Sequence, residues 1–165
     1  MNHDFGVPGP YFLVETKDCP AEMSAFKRKL DSPDFKSEFI GASEQECKDW
    51  LLREEDRDFI DGGIVYIADA RSAKDETLLA SRYSREPIVF GDEDEDSAKK
   101  LPPQAHTWYD FRVRYKDAMQ ILDHLKYGPP DAAYPVYYER KDEIVDENGV
   151  VDAAKADRLV TGQEA

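Results

Sequence analysis

Cysteine and histidine are scarce in this sequence, and the few that occur do not form a metal-binding or redox motif. The 165 residues include 2 cysteines, Cys19 and Cys47, which are too far apart for a C-x-x-C motif. The 3 histidines, His3, His106 and His124, are scattered along the chain. A zinc site is therefore not expected, and we predict neither a metal nor a cofactor. Two cysteines without paired spacing favour free thiols in a reducing compartment.

Long apolar runs and a surplus of basic residues are also absent. No apolar run approaches the ~20 residues that cross a bilayer, and the first residues lack the basic and apolar regions of a secretory signal. We therefore expect a cytoplasmic protein with no membrane partner. With 36 acidic and 22 basic residues the formal net charge is −14, which argues against nucleic-acid binding because phosphate contacts need a basic surface. An acidic balance suits solubility, and it would also suit a basic protein partner.

Common catalytic and ion-binding signatures are missing as well. The motifs H-E-x-x-H and G-x-S-x-G and the glycine-rich phosphate-binding loop do not occur. Asp92, Asp94 and Asp96 imitate the first ligands of a calcium loop, but Ser97 stands where that loop requires glycine and Pro103 where it requires glutamate. Residues 91–103 are therefore predicted to be an exposed, mobile acidic insertion.

Hydrophobic periodicity predicts a single α/β or α+β domain, in which helices pack on a mixed sheet. The predicted order is β-α-β-α-β-β-β-α-β, followed by a candidate C-terminal helix capped by Asp152. The apolar run at residues 64–68 is expected to be a central strand covered on both faces. An N-terminal arm is predicted at residues 1–10. The other strands are predicted at residues 11–14, 35–40, 77–83, 107–115 and 134–139, and the helices at residues 19–30, from the capping box at 43–46, and at 116–127.

The first five predicted elements match the beginning of a thioredoxin-like layout, which suggests an alternative with a single reactive thiol. Cys19 would then begin the first helix, where the helix dipole could activate it. Against this, Glu15, Asp18 and Glu22 lie close by in sequence and would oppose thiolate formation. No second cysteine lies at C-x-x-C spacing, so redox chemistry is the weaker interpretation.

Residues 107–128 carry the clearest structural signal. Alternation places Tyr109, Phe111 and Val113 on one face of a strand, and the period then changes to that of a helix. The opposite face is polar and continues back to the preceding histidine. An imidazole, an indole, a carboxylate and two guanidiniums could therefore line one surface, which comprises His106, Trp108, Asp110, Arg112 and Arg114.

The second polar cluster is D-A-R-S-A-K-D-E-T-L-L, at residues 69–79, where an apolar strand ends. Ligands often bind at such strand ends in open α/β sheets. This motif and T-W-Y-D-F-R-V, at residues 107–113, resemble those of an uncharacterised group of small fungal proteins, over about residues 64–118. The resemblance implies no known activity. It does imply that one arrangement contains Asp69, Arg71, Ser72, Asp75, Trp108 and Arg112.

Two interpretations of this arrangement remain open. In the first, Asp69 or Asp75 holds an arginine in a structural ion-pair network, and Trp108 packs over a guanidinium. In the second, the arrangement is a pocket that binds a small polar or anionic molecule and catalyses cofactor-free proton transfer, as in isomerisation, cyclisation or elimination. The pocket hypothesis assigns proton transfer to Asp69, His106 and His124, substrate binding to Arg71, Ser72, Trp108, Arg112 and Arg114, and reserve roles to Tyr66 and Tyr138.

The runner-up function is a non-enzymatic acidic protein, such as an inhibitor or immunity-type partner of a basic protein. Such a protein needs a continuous exposed acidic patch, whereas a small-molecule site needs a concave surface with convergent polar groups. A homodimer is compatible with either function.

Overall fold

A computed structural model describes residues 12–28, 33, 35–61, 63–91 and 98–163 of the protein. The chain divides into two compact units, residues 1–62 and 63–165, and each is described by itself. The prediction of one domain stays a prediction. The predicted arm at residues 1–10 and the acidic run at 92–97 lie outside the described residues. Within the described residues, no helix has both the length and the apolar character needed to cross a membrane.

The described residues of the second unit form five strands: β1 (Ile64–Ile67), β2 (Thr77–Ser84), β3 (Ile88–Phe90), β4 (Lys99–Leu101) and β5 (Thr107–Arg114). Three of them form an antiparallel sheet in the order β1-β2-β5, and β3 and β4 form a separate antiparallel hairpin. At the outer edge of β5, Arg112 forms a parallel bridge with Val150.

Strand β5 has the two faces that its alternation predicts. Phe111 and Val113 are buried, while Trp108, Asp110 and Arg112 on the opposite face are only partly buried. Since side chains alternate across a strand, the apolar face turns toward the helices and leaves the charged face available for other interactions.

Helices cover this apolar face. The short helix α2 (Ser72–Asp75) follows β1, and the covering helices are α3 (Ala118–Leu122), α4 (Pro130–Tyr134), α5 (Lys141–Ile144) and α6 (Ala153–Val160). A 3₁₀ turn, Tyr115–Asp117, leads into α3, and wider π-helical turns, Asp123–Tyr127 and Pro135–Glu139, continue α3 and α4. The core joins the sheet to these helices through Phe111, Val113, Ile121, Leu125, Tyr137, Ile144 and Val151. This arrangement confirms the predicted combination of helices and sheet, and defines it as α+β.

The first unit contains α1 (Glu44–Glu54) and a 3₁₀ turn, Met23–Ala25. The predicted capping box opens α1: the Ser43 side chain accepts a hydrogen bond from the Glu46 N–H, and the Glu46 carboxylate accepts one from the Ser43 N–H. Trp50 on α1 is buried, contacts the ring of Phe39 edge-on, and donates its indole N–H to the Lys17 carbonyl at 2.9 Å.

Several predicted elements of the first unit are wrong. Residues 19–28 form no α-helix, because Met23 is exposed and its predicted apolar stripe with Phe26 does not form. Residues 38–41 form a turn in place of the end of a strand. In the predicted strand at 11–14, Leu13 makes only a single bridge to Lys27.

Two predictions for the second unit are also corrected. The strand predicted at residues 134–139 is helical, because Ala133, Val136 and Tyr137 are buried at helical spacing. Strand β1 lies at an edge of its sheet and not in the centre, which β2 occupies. In addition, the predicted insertion at 91–103 includes strand β4.

The capping box yields a first prediction. Ser43→Ala should lower the free energy of unfolding by about 1 kcal/mol, because the first turn of α1 loses its side-chain acceptor. Ser43→Asp should preserve most of the stability, since aspartate also caps helices. Urea unfolding followed by circular dichroism measures both changes. Ser24→Ala, at an exposed serine of the same unit, is the control, and an equal loss in that variant would contradict a specific capping role.

Candidate functional site

Asp69 organises the turn that follows β1. Its carboxylate accepts hydrogen bonds from the backbone N–H groups of Arg71 and Ser72, both at 3.0 Å. In return, the Ser72 hydroxyl accepts the Asp69 N–H at 2.9 Å. This reciprocal pattern is similar to that of a capping box, and it fixes the turn that leads into the short helix α2, whose own N-cap residue, Arg71, makes no side-chain capping bond. Tyr115 further holds this turn by donating its hydroxyl to the Ser72 carbonyl at 2.9 Å.

The same carboxylate forms an ion pair with Arg112 on β5. The two terminal nitrogens of Arg112 donate to the two oxygens of Asp69 at 3.1 and 2.5 Å. The Arg112 side chain is only 12% exposed. Hydrogen bonds from the Arg112 guanidinium, and then from Ser72, hold the pKa of Asp69 well below its ordinary value. Asp69 is therefore a weak base at neutral pH, and its geometry matches the structural interpretation better than proton transfer.

Arg71 extends from this turn toward the opposite loop. Its Nε donates to Asp75 at 2.5 Å, and its Nη2 donates to the Asn148 carbonyl at 2.8 Å. The second oxygen of Asp75 accepts the Thr77 hydroxyl at 2.5 Å. This hydrogen bond from Thr77, with that from Arg71, lowers the pKa of Asp75. The guanidinium is therefore held in one orientation from two sides.

Arg114, the last residue of β5, is held by the turn at residues 146–149. Its Nη2 donates to Asp146 at 3.0 Å. The other oxygen of Asp146 accepts the backbone N–H groups of Asn148 and Val150, both at 2.9 Å. These backbone hydrogen bonds, first that of Val150, lower the pKa of Asp146. Gly149 closes the turn at a φ of 73°, a left-handed conformation that glycine adopts without strain.

Arg71 and Arg114, with the groups that hold them, line a cleft of ≈ 400 Å³, which we call the two-arginine cleft. Two guanidiniums and two carboxylates face it, so its formal charge is balanced. The Arg71 and Arg114 side chains are 40% and 42% exposed, and a ligand can therefore reach both. The lining residues are Arg71, Asp75, Thr77, Arg114, Asp146, Asn148 and Val150.

The structure does not bring every predicted site residue to this cleft. Trp108 packs against Tyr83, its cross-strand neighbour, with ring centroids 5.0 Å apart. His106 precedes β5, at the end opposite Arg114, and contacts the Tyr83 hydroxyl at 3.4 Å through Nδ1. Its φ of 50° is a left-handed conformation that is uncommon outside glycine. These two residues belong to a separate aromatic surface.

His124 lies among the helices that cover the sheet. Its Nδ1 is 2.9 Å from the Tyr137 hydroxyl, and its Nε2 is 3.2 Å from Asp157 on α6. Burial, with the nearby Asp157 charge, raises the pKa of Tyr137. Of the two reserve residues, Tyr66 donates to the Ala118 carbonyl at 3.2 Å, and Tyr138 accepts from Arg82 at 2.7 Å. None of these groups lines the two-arginine cleft.

Half of the cleft was missed by sequence reasoning. Asp146 and Asn148 belong to D-E-N-G, whose asparagine and glycine are typical of a turn but do not by themselves indicate a binding site. The signal available was the pairing of a turn aspartate with an arginine that ends a strand, but 32 residues separate Asp146 from Arg114. Only the folded chain brings them together.

The cysteines do not extend the site. Cys19 and Cys47 are free thiols, and burial raises the pKa of both. A raised pKa is the opposite of what an activated thiol needs. Together with the missing helix at Cys19, this leaves the thioredoxin-like alternative without structural support. In the described part of the chain, no group of three or more acidic, histidine or cysteine side chains could hold a metal.

Comparisons with protein-family models, curated proteins and solved structures find no match to this chain. The α+β fold and the geometry of the two-arginine cleft therefore carry the functional argument alone.

The ion pair of Asp69 yields a second prediction. Arg112→Ala should lower the free energy of unfolding by ~3 kcal/mol or more, because it leaves a partly buried carboxylate without its cation. Arg112→Lys should cost less, since it retains the charge but loses the two-pronged geometry. Urea unfolding of the variants at neutral pH measures these losses.

Arg140→Ala is the matched control. Arg140 also bonds a carboxylate through two nitrogens, to Glu143 at 2.9 and 2.8 Å, but this pair is more exposed. Removing this ion pair should lower the free energy of unfolding by less than ~1 kcal/mol. Equal losses in the Arg112→Ala and Arg140→Ala variants would contradict a special role for the buried pair.

The lowered pKa of Asp69 yields a third prediction. A carboxyl whose pKa is lower in the folded state stabilises the fold above its unfolded pKa of about 3.9, and this stabilisation is lost as the pH falls. The free energy of unfolding of the wild type should therefore begin to approach that of Asp69→Asn below about pH 5, and should continue to do so as the pH falls through the lowered folded-state pKa of Asp69. Denaturant titrations at each pH test this, and a stability difference that is constant with pH would contradict it.

Proposed function

We propose that this protein binds a small polar or anionic molecule in the two-arginine cleft. The observation that carries the proposal is the exposure of two guanidiniums, those of Arg71 and Arg114, in one concavity of ≈ 400 Å³. This volume is in the range of small-molecule sites, which are concave and use a few convergent polar groups. Arginine suits an anionic group because its planar fork can bond two oxygens at once.

The two arginines are oriented before any ligand binds. Asp75 and the Asn148 carbonyl hold Arg71, and Asp146 holds Arg114. In the described residues, the remaining N–H groups of both guanidiniums have no acceptor. A ligand oxygen can therefore bond them without displacing the existing partners. Such preorganisation reduces the entropy lost on binding.

The cleft supports binding more strongly than proton transfer. Its two acids, Asp75 and Asp146, have lowered pKa values, so both are ionised and weakly basic at neutral pH. The proposed isomerisation, cyclisation or elimination would have to use one of them as its base. We therefore place ligand binding first, and treat catalysis as an extension of it.

A concave site with convergent polar groups favours this function over the acidic interaction protein, which needs a continuous acidic surface. A cytoplasmic location is part of the proposal, and the two unpaired cysteines support it.

A fourth prediction tests the proposal with succinate, glutamate and inorganic phosphate as probes. We expect at least one of them to bind the wild type in isothermal titration calorimetry. Arg114→Gln should weaken that binding by roughly 10- to 100-fold, the usual worth of a hydrogen bond to a charged group. The half-exposed position of Arg114 makes a large loss of stability unexpected, which thermal unfolding checks.

Lys116→Gln is the matched control. It removes the same charge from an exposed residue two positions along the chain, outside the cleft lining. Its affinity for the probe should equal that of the wild type. The proposal fails if none of the three probes binds, or if both variants weaken binding equally, because the effect would then be one of net charge.

A further inference from the structure

Arg82 is an arginine on the helix-covered face of the central strand β2, next to the buried core. It shares that face with Ala80 and pairs across the sheet with Tyr109. Its Nη1 donates to the Tyr138 hydroxyl at 2.7 Å, and its Nη2 donates to the Tyr134 hydroxyl. The guanidinium carbon also lies 4.9 Å from the centre of the Tyr134 ring. Two phenols and an aromatic face therefore hold this cation.

No carboxylate pairs with Arg82 among the described residues, although acidic residues outnumber basic ones by 36 to 22. Arg112, another partly buried arginine of this sheet, has a carboxylate on both terminal nitrogens. The phenols cannot supply the negative charge of a carboxylate, because burial raises the pKa of Tyr138 to about 12 and keeps its hydroxyl neutral. A cation taken partly out of water without a counter-charge is unfavourable, which makes a bound anion favourable here.

The hydroxyl groups around Arg82 also have unused protons. Tyr134 and Tyr138 accept hydrogen bonds from Arg82, and within the described residues neither hydroxyl has an acceptor for its own proton. Ser84, two residues further on the same face of β2, is 3% exposed, and its hydroxyl has no partner among the described residues. Buried polar groups are normally satisfied. A guanidinium without a counter-charge, beside two phenol hydroxyls whose protons lack an acceptor, indicates that an anionic oxygen completes the cluster.

The aromatic rings around Arg82 limit which kind of anion can supply that oxygen. Tyr138 packs against Tyr109 and Tyr134, with ring centroids 5.0 and 5.2 Å apart, and Phe90 packs against Tyr134 at 6.4 Å. One cation can neutralise one negative charge, so a dianion would leave an excess charge among aromatic rings. Arg82 and Tyr138 are partly exposed, which leaves a side from which a ligand can approach.

We propose that Arg82, Tyr134 and Tyr138 form a second binding site, which takes a small monocarboxylate attached to an apolar or aromatic group. The carboxylate accepts hydrogen bonds from the guanidinium and the phenol hydroxyls, and the apolar group contacts the rings. None of these residues lines the two-arginine cleft, so this site can exist whether or not the cleft binds a ligand.

Benzoate is the probe for this site, and isothermal titration calorimetry is the measurement. The wild type should bind one benzoate with a Kd below ~10 mM, and inorganic phosphate should not compete for it. Tyr138→Phe keeps the ring and removes one donor, so it should weaken benzoate binding about 10-fold. Arg82→Gln should abolish the binding, because it removes the cation.

Arg158→Gln, at an exposed residue of α6, removes the same charge elsewhere and should leave the affinity for benzoate unchanged. Circular dichroism establishes whether each variant is folded. If Arg82→Gln does not fold, the affinity of Tyr138→Phe for benzoate tests the proposal. The proposal is overturned if the wild type binds no benzoate at ~10 mM, or if Tyr138→Phe binds it as tightly as the wild type. Competition by phosphate would overturn the choice of a monocarboxylate.

Discussion

The ion pair between Asp69 and Arg112 is the interaction on which the organisation of the cleft depends. Through its side chain, Arg112 holds the turn after β1. Through its backbone, the same residue accepts the Val151 N–H at 2.8 Å and forms the parallel bridge to Val150. One position on β5 therefore fixes both segments that flank Arg114. The cleft opens between these segments, so Arg112 shapes it without being one of its lining residues.

Arg112 and Arg82 show two ways of keeping an arginine beside an apolar core. Arg112 has a carboxylate that matches its geometry, and the resulting pair has no need of a further partner. Arg82 has two phenols, which satisfy the direction of its hydrogen bonds but not its charge. This difference separates a structural arginine from one that can still bind an anion. Neither residue type nor burial alone would distinguish them.

Local patterns in the sequence predicted the parts of the fold that depend on neighbouring residues. The alternation in β5, the capping box at Ser43 and the cap at Asp152 were all visible, and each is present in the structure. The helical turn Pro135–Glu139 was misread because Tyr, Val and Tyr are common in strands. Its helical form depends on which of these side chains are buried, and packing against distant elements decides that.

The same limit applies to the candidate site. Asp69, Arg71 and Arg112 could be grouped from the sequence because two motifs suggested one arrangement, and the structure places them together. Asp146 could not be grouped with them from the sequence, since nothing local to D-E-N-G indicates which cation its carboxylate pairs with. Likewise, the polar face of β5 was predicted as one surface, but a strand is long enough to divide its side chains between separate surroundings. Trp108 and Arg114 therefore share a face without sharing a site.

The connection between β2 and β5 has a consequence for how the length of this chain can vary. These strands pair along their full length, yet the β3 and β4 hairpin and its connecting residues lie between them in sequence. The entropy lost on closing such an excursion grows only with the logarithm of its length, so that doubling it costs about 0.6 kcal/mol. Lengthening or shortening the hairpin connection would therefore change the register and stability of the main sheet very little. Of the segments between paired strands, this is the one where insertions and deletions can accumulate at the least cost to the fold.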